Sequence, residues 1–165
     1  MTLTLRNIAV NGLYYAVTLG ALPTAALWLQ ARWWGLAKAS LSLRSVGVVI
    51  GLAGVIIQVW SIVLLQTRGR GTPSPAAPPV RLVSEGSYAW VRNPINLGEL
   101  LVFLGLAAWF ASWVLLVYSA LAWVSFQIFI IAWEEPRHRR LYGTEFLRYR
   151  GRVSRWFPRS PKVHL

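Results

Sequence analysis

The sequence lacks cysteine altogether and is poor in acids, with 5 Asp and Glu residues against 17 Lys and Arg and only 2 His. The missing cysteine excludes disulfide bridges, thiolate metal sites and a cysteine nucleophile. The two histidines, His138 and His164, are too few to predict a metal centre. We therefore look for candidate site residues among the arginines, glutamates, tyrosines and amides.

Apolar residues are abundant: 56% of the chain is hydrophobic, ten residues are Trp and the mean hydropathy is +0.48. This composition is typical of an integral membrane protein. The N-terminus has no basic region followed by a short apolar stretch and a small-residue cleavage site, so we expect the first apolar segment to be retained. The net charge of +12 predicts basic residues that set topology and meet anionic lipid, rather than nucleic acid.

The apolar stretches predict an all-α membrane protein of one domain, residues 1–165, with about four transmembrane helices at 8–30, 46–66, 95–111 and 113–133. The last two form a helical hairpin, because the 37 residues from Leu97 to Trp133 would extend about 55 Å as one helix. Ser112 is the best helix N-cap in their middle. Residues 67–94 are predicted as a polar loop, and residues 136–165 as an amphipathic, interfacial tail.

Several residues within the predicted spans carry expectations of their own. Asn11 and Gln58 are expected to find polar partners, because an unpaired amide in hydrocarbon is costly. Pro23 is expected to kink the first span. Gly47 and Gly51 form a GxxxG pattern, which we expect to pack against another helix of the same chain.

The most informative stretch runs from Gly86 to Glu99, GSYAWVRNPINLGE, at the mouth of the predicted hairpin. The first acids after the hairpin are Glu134 and Glu135, and the hairpin is expected to bring them to Arg92 and Asn93 at one membrane face. Helical spacing places Gln127 on the same face as Glu134. Taken singly, Arg92 is more typical of a snorkelling topology residue, the glutamates of a solvated helix end and Tyr88 of an interfacial anchor.

As an ordered set, the motifs of this chain resemble those of bacterial members of the isoprenylcysteine carboxyl methyltransferase and phospholipid methyltransferase superfamily. They are Gly86-Ser-Tyr88, Arg92-Asn93-Pro94, Leu97-Gly98, Glu134-Glu135-Pro136, Tyr142-Gly143, Tyr149 and Arg155-Trp156-Phe157-Pro158. Ser87 replaces a usual proline, Asn93 a commoner histidine, and Asn96 sits near an expected tyrosine. The resemblance covers about half of the chain.

The resemblance implies methyl transfer from S-adenosylmethionine, at the membrane interface, to a lipid-like or isoprenoid-linked acceptor with a carboxylate or an amine. Membrane lipids and a lipophilic substrate are the expected partners. Arg92 and Glu135 are the expected catalytic residues. The expected cofactor-binding residues are Tyr88, Arg92, Asn93, Pro94, Leu97, Gly98, Glu134, Glu135 and Tyr149.

The distribution of basic residues predicts the orientation. The tail carries nine of them and the loop from Thr67 to Asn96 four, so both are expected in the cytoplasm, with Arg32, Lys38 and Arg44 on the other side. For a bacterial protein this means the inner membrane, with the site and the C-terminus facing the cytoplasm. Two other readings stay open: a membrane reductase with a nicotinamide cofactor, and a small transporter or assembly protein whose path is lined by Gln58, Gln127 and Glu99.

Overall fold

The computed structural model describes residues 9, 12–73 and 78–157, and all regular structure in these residues is helical. The helices are α1 (Gly12–Trp33), α2 (Leu41–Thr67), α3 (Ser87–Trp90), α4 (Pro94–Trp109), α5 (Trp113–Phe129) and α6 (Glu135–Arg152). A π-helical segment, Ile130–Glu134, joins α5 to α6 without a break. The predicted all-α class is confirmed for the described residues.

Three helices are long and apolar enough to cross a membrane: α1, α2 and the continuous helix that starts at Trp113. The protein is therefore an integral membrane protein. The shorter α4 has 16 residues, or about 24 Å, against about 30 Å of hydrocarbon. Four complete spans and a cytoplasmic C-terminus stay predictions, and Asn11 lies outside the described residues.

The turn between α4 and α5 lies where the sequence predicts it. The Leu115 N–H donates to Ser112 Oγ at 3.1 Å, so Ser112 is the N-cap of α5. The buried side chain of Gln30, from α1, also accepts the Ser112 hydroxyl and the Val114 N–H, the latter at 3.3 Å. Two side chains thus satisfy backbone donors at the start of α5 that have no intrahelical partner.

The chain divides into two compact units. The first contains residues Met1–Ile56 and Gly98–Val124, and the second contains residues Ile57–Leu97 and Ser125–Leu165. The second unit therefore holds the polar loop, the residues around Arg92 and all of α6. Every predicted site residue except Gly98 belongs to this second unit.

In the first unit, α2 and α4 approach each other through glycines. A Cβ built on Gly105 of α4 would lie 2.7 Å from the Gly47 carbonyl oxygen and 2.7 Å from the Gly51 nitrogen. A Cβ on Gly54 would lie 2.5 Å from the Gly98 carbonyl oxygen. The prediction that the GxxxG pattern packs within the chain is confirmed. Gly98 is thus a packing residue in this unit.

In the second unit, the loop after α2 is anchored before it reaches Arg92. Gly86 has a φ of 59°, a left-handed conformation that favours glycine, and a Cβ there would lie 2.5 Å from a Leu64 methyl carbon. The adjacent Ser87 hydroxyl pairs with that of Ser61 at 2.8 Å. The serine that stands in place of a usual proline therefore fixes the loop to α2.

The expectation for Gln58 is wrong. Its side chain is 6% exposed, yet its Nε2 has no hydrogen-bond partner in the part of the chain that the structure describes. The nearest polar side chain along α2, that of Ser61, is directed to the Ile57 carbonyl and to Ser87 instead.

In α1, the helix is π-helical over Ala16–Ala21, just before Pro23. The missing N–H of Pro23 accounts for disturbed bonding in the preceding turn.

The C-terminal segment differs from the predicted tail in one respect. It starts as a continuation of α5, and α6 is interrupted at Gly143, whose φ of 55° and ψ of −128° are not helical. On the last part of α6, Phe146 and Tyr149 are buried in the second unit. One face of the segment therefore packs against protein, which leaves only the other face for the membrane interface.

Candidate functional site

The centre of the candidate site is the Glu135 carboxylate, at the start of α6. Its Oε1 accepts a hydrogen bond from Arg92 Nη1 at 2.8 Å. The same oxygen accepts bonds from Arg155 Nε at 3.0 Å and Nη2 at 2.8 Å. The Arg92 and Glu135 side chains are only 11% and 13% exposed. These three residues form a mostly buried ion cluster, which we call the Arg92–Glu135–Arg155 cluster.

Backbone contacts hold the arginines of this cluster in place. The Arg92 N–H donates to the Ser154 carbonyl at 2.8 Å, which ties the segment before α4 to the residue beside Arg155. The Tyr149 hydroxyl donates to the Tyr88 carbonyl at 2.7 Å, and this bond is buried. Tyr149, near the end of α6, and Ser154, just after it, therefore both bond to the stretch that carries Arg92.

The electrostatics of the cluster depend on Glu135. Burial lowers the pKa of Arg92, and the Glu135 carboxylate offsets only part of this shift. A third arginine, Arg150, has its Nη1 4.0 Å from Glu135 Oε2, with its side chain half exposed. One carboxylate is thus in contact with three guanidinium groups. Such a group cannot be removed without leaving buried positive charge.

Glu134 has different surroundings from its neighbour. Burial, and secondarily the Glu135 charge, raise the pKa of Glu134 to about 7. Its side chain lies 3.9 Å from His138 Nε2. Burial lowers the pKa of His138 to about 4, so this histidine is neutral at pH 7 and the contact is not an ion pair. Glu134 is therefore the carboxyl group that gains or loses a proton near neutral pH.

A cavity of about 320 Å³ adjoins the cluster, lined by Arg92, Arg150, Val153, Ser154, Arg155, Trp156 and Phe157. Two polar atoms of its lining residues, Arg92 Nε and Ser154 Oγ, are buried without a hydrogen-bond partner among the described residues. The indole N–H of Trp156 donates to Gln127 Oε1 at 2.6 Å, which fixes one wall. The cavity is thus bordered by the charges of Arg92, Arg150 and Arg155, while the two unpartnered atoms lie buried behind its surface.

The predicted site residues differ in the contacts that they make in the structure. Arg92 contacts Glu135 as the hairpin predicts, and Tyr88 is joined to Tyr149 through its carbonyl. The backbone carbonyl of Asn93 accepts a hydrogen bond from the Leu97 N–H at 3.0 Å. Pro94 is fully buried at the start of α4. Gly98, in the first unit, packs against Gly54, and the functional roles of all nine residues stay predictions.

Sequence reasoning did not assign a role to Arg150, Ser154 or Arg155. Arg155 lies twenty residues after Glu135, beyond the end of α6, and no regular spacing predicts that contact. The available signal was the Arg155-Trp156-Phe157-Pro158 motif, which is part of the family resemblance. Only the path of the chain after Arg152 brings the arginine back to the carboxylate.

A hydroxyl deletion tests how the end of α6 is held. Tyr149→Phe should lower the free energy of unfolding by about 1 to 2 kcal/mol, because the buried Tyr88 carbonyl then loses its donor. Chemical denaturation in detergent measures this change. The matched control is Tyr142→Phe on the same helix, whose bond to the Pro79 carbonyl is only partly buried, so that water can replace it. Equal losses in both variants would contradict this assignment.

The fold and this site define an integral membrane protein with a charged, partly buried cluster next to its apolar helices. Comparison with protein families assigns the chain more closely. The model of the phospholipid methyltransferase family matches residues 43–145, which is more than half of the sequence. The chain belongs to this family, and it is a membrane methyltransferase. Comparisons with curated proteins and with solved structures give no match.

Proposed function

We propose that this protein is an S-adenosylmethionine-dependent methyltransferase that acts at the membrane interface on a lipid-like acceptor. The observation that carries the proposal is the Arg92–Glu135–Arg155 cluster, which lies at the ends of the apolar hairpin. The family match includes Arg92, Glu134 and Glu135. The family match favours neither a nicotinamide-dependent reductase nor a transporter or assembly protein.

The residues at the site suit the polar groups of S-adenosylmethionine. The Arg92 guanidinium supplies positive charge for a carboxylate, and Glu134 is an acceptor for an α-amino group. Glu135 is already bonded to two arginines, so we assign it to holding Arg92 in place rather than to direct contact with the amino group. When bound, the cofactor supplies an electrophilic methyl group on a sulfonium.

The chain's own contribution to such a reaction is positioning and control of one proton. Methyl transfer is a displacement at carbon, so no protein nucleophile is needed and orientation of the two reactants supplies the catalysis. If the acceptor is an amine, a glutamate must accept or relay its proton. If the acceptor is a carboxylate, an arginine orients it and no base is required.

Cofactor titration tests the proposal. Calorimetry on the purified chain in detergent should show saturable binding of S-adenosylhomocysteine and none of NADPH. Arg92→Ala should weaken that binding by about 30-fold or more, because it removes one partner of a desolvated charge pair. The control is Arg137→Ala, since the Arg137 guanidinium lies over the Trp133 ring at 4.9 Å and does not line the cavity beside Arg92. Heat with NADPH alone would overturn the methyltransferase assignment.

A further inference from the structure

The chain after α6 folds back to the ion cluster without forming a helix or a strand. Residues 153–157, which we call the return segment, have no regular secondary structure. The Ser154 carbonyl accepts a hydrogen bond from the Arg92 N–H at 2.8 Å. Arg155 donates to Glu135 Oε1 from Nε at 3.0 Å and from Nη2 at 2.8 Å. Since no ladder of backbone hydrogen bonds supports the return segment, its position depends on contacts of this kind.

A third contact joins the return segment to α5. The indole N–H of Trp156 donates to Gln127 Oε1 at 2.6 Å, and Trp156 is only 8% exposed. A buried indole N–H normally has a hydrogen-bond partner, because leaving it unpaired is costly. Gln127 is half-buried near the end of an apolar helix, where a side-chain amide also needs a partner. The contact therefore satisfies polar groups of both residues.

The π-helical segment between α5 and α6 brings Gln127 and Glu135 to one face. In a regular α-helix, side chains eight positions apart point about 80° away from each other. Here the Glu135 N–H bonds to the Ile130 carbonyl, five residues back, so this turn holds one residue more than an α-helical turn. Glu135 thus takes the angular position of the seventh residue after Gln127, one residue further than regular spacing predicts. Segments of this kind are frequent at functional sites.

The two side-chain contacts of the return segment support each other. Arg155 and Trp156 are adjacent, so a backbone held at one of them restricts the other. The Arg155 side chain is long and 22% exposed, and fixing it against Glu135 costs conformational entropy. A neighbour already fixed by its own hydrogen bond lowers that cost. Gln127 therefore acts on the ion cluster through Trp156.

We propose that Gln127 is a positioning residue of the methyltransferase site. Through Trp156 it holds the return segment, and with it Arg155, against Glu135, and so keeps the wall of the cavity beside Arg92 in place. The effect on cofactor binding rests on the proposed function, whereas the hold on the return segment does not.

The first test removes the acceptor. Gln127→Leu, in the full chain in detergent, keeps a side chain of similar size but cannot accept the indole N–H. Calorimetry should show S-adenosylhomocysteine binding weakened by about tenfold, because a hydrogen bond to a buried donor is lost. The matched control is Gln66→Leu, at an exposed position of α2, which should change the affinity by less than about twofold.

A double substitution tests whether Gln127 acts through Trp156. Trp156→Phe keeps an aromatic ring but has no N–H to donate. In that background, Gln127→Leu should weaken S-adenosylhomocysteine binding further by less than about twofold, since both changes remove the same hydrogen bond. Losses that multiply would show two independent effects and would contradict the proposal.

A thiol reporter measures the return segment without any cofactor. The sequence has no cysteine, so Val153→Cys introduces a single thiol at a half-buried position. A water-soluble maleimide should label it at least about fivefold faster when Gln127→Leu is added, because the segment opens more often. The rate should not change with Gln66→Leu. Gly105→Ala, which creates a backbone clash in the first unit, is the control for general destabilisation and should not raise the rate either.

The outcomes separate this proposal from the proposed function. Wild-type labelling in Gln127→Leu would overturn the positioning role, and so would faster labelling with unchanged S-adenosylhomocysteine affinity. Equal losses of affinity in Gln127→Leu and Gly105→Ala would reduce the effect to general destabilisation and would overturn it as well. Faster labelling in a chain that binds no S-adenosylhomocysteine would contradict the proposed cofactor and support the hold of Gln127 on the return segment.

Discussion

Glu135→Gln is expected to lower methyl transfer by at least about 30-fold and to destabilise the fold by about 3 kcal/mol. The physical reason is that Glu135 Oε1 is the common acceptor of Arg92 and Arg155, whose side chains are 11% and 22% exposed. Glutamine keeps the shape but not the charge, so two mostly buried guanidinium groups lose their counter-ion. Chemical denaturation and a methyl-transfer assay with radiolabelled donor measure the two effects.

The neighbouring glutamate is the matched control for stability. Glu134→Gln should leave the unfolding free energy unchanged or slightly higher at pH 8, because burial already disfavours the charged form of Glu134. The pKa of Glu134 is raised to about 7 in the fold from its ordinary value of 4.5. Its contribution to stability is therefore complete below pH 4.5 and is lost as the pH rises through about 7. If both substitutions lowered the unfolding free energy equally at pH 8, the role of Glu135 as the counter-ion of Arg92 and Arg155 would be contradicted.

Gly105→Ala is expected to destabilise the protein by about 1 to 3 kcal/mol, the usual cost of overpacking a close contact. The added Cβ would lie 2.7 Å from the Gly47 carbonyl oxygen and 2.8 Å from the Gly51 Cα. Both neighbours are backbone atoms, so no side-chain rotation relieves the clash and α2 must move away from α4. The thermal midpoint in detergent, with loss of monodisperse protein as a second readout, measures the effect.

The same substitution at an open glycine is the control. A Cβ on Gly20 would meet nothing within 4 Å, so Gly20→Ala should not lower the thermal midpoint. If Gly105→Ala were as stable as Gly20→Ala, the close approach of α2 and α4 would not exist in the membrane protein. A fall in the midpoint at Gly105 alone supports packing within the chain.

Much of this architecture could be predicted from the sequence, because hydrophobic length is a local property. The hairpin follows from an apolar run too long for one span, and Ser112 marks its turn. The contact between Arg92 and Glu135 follows from the same reasoning, since the hairpin returns the chain to its starting face. Gln58 shows the limit: its polarity indicates a need for a partner, but Ser61 bonds to Ser87 instead, and Gln58 Nε2 has no hydrogen-bond partner among the described residues.

The sequence by itself determined the class of protein, the family motifs and the pair of hairpin ends, because these depend on composition and on residues close together along the chain. Only the tertiary structure decided the different surroundings of Glu134 and Glu135. Adjacent in sequence, they differ because one points towards a neutral histidine and the other towards two arginines. It also decided that Arg155 and Ser154 belong to the site, since the non-helical chain after Arg152 has no periodicity that could predict their approach.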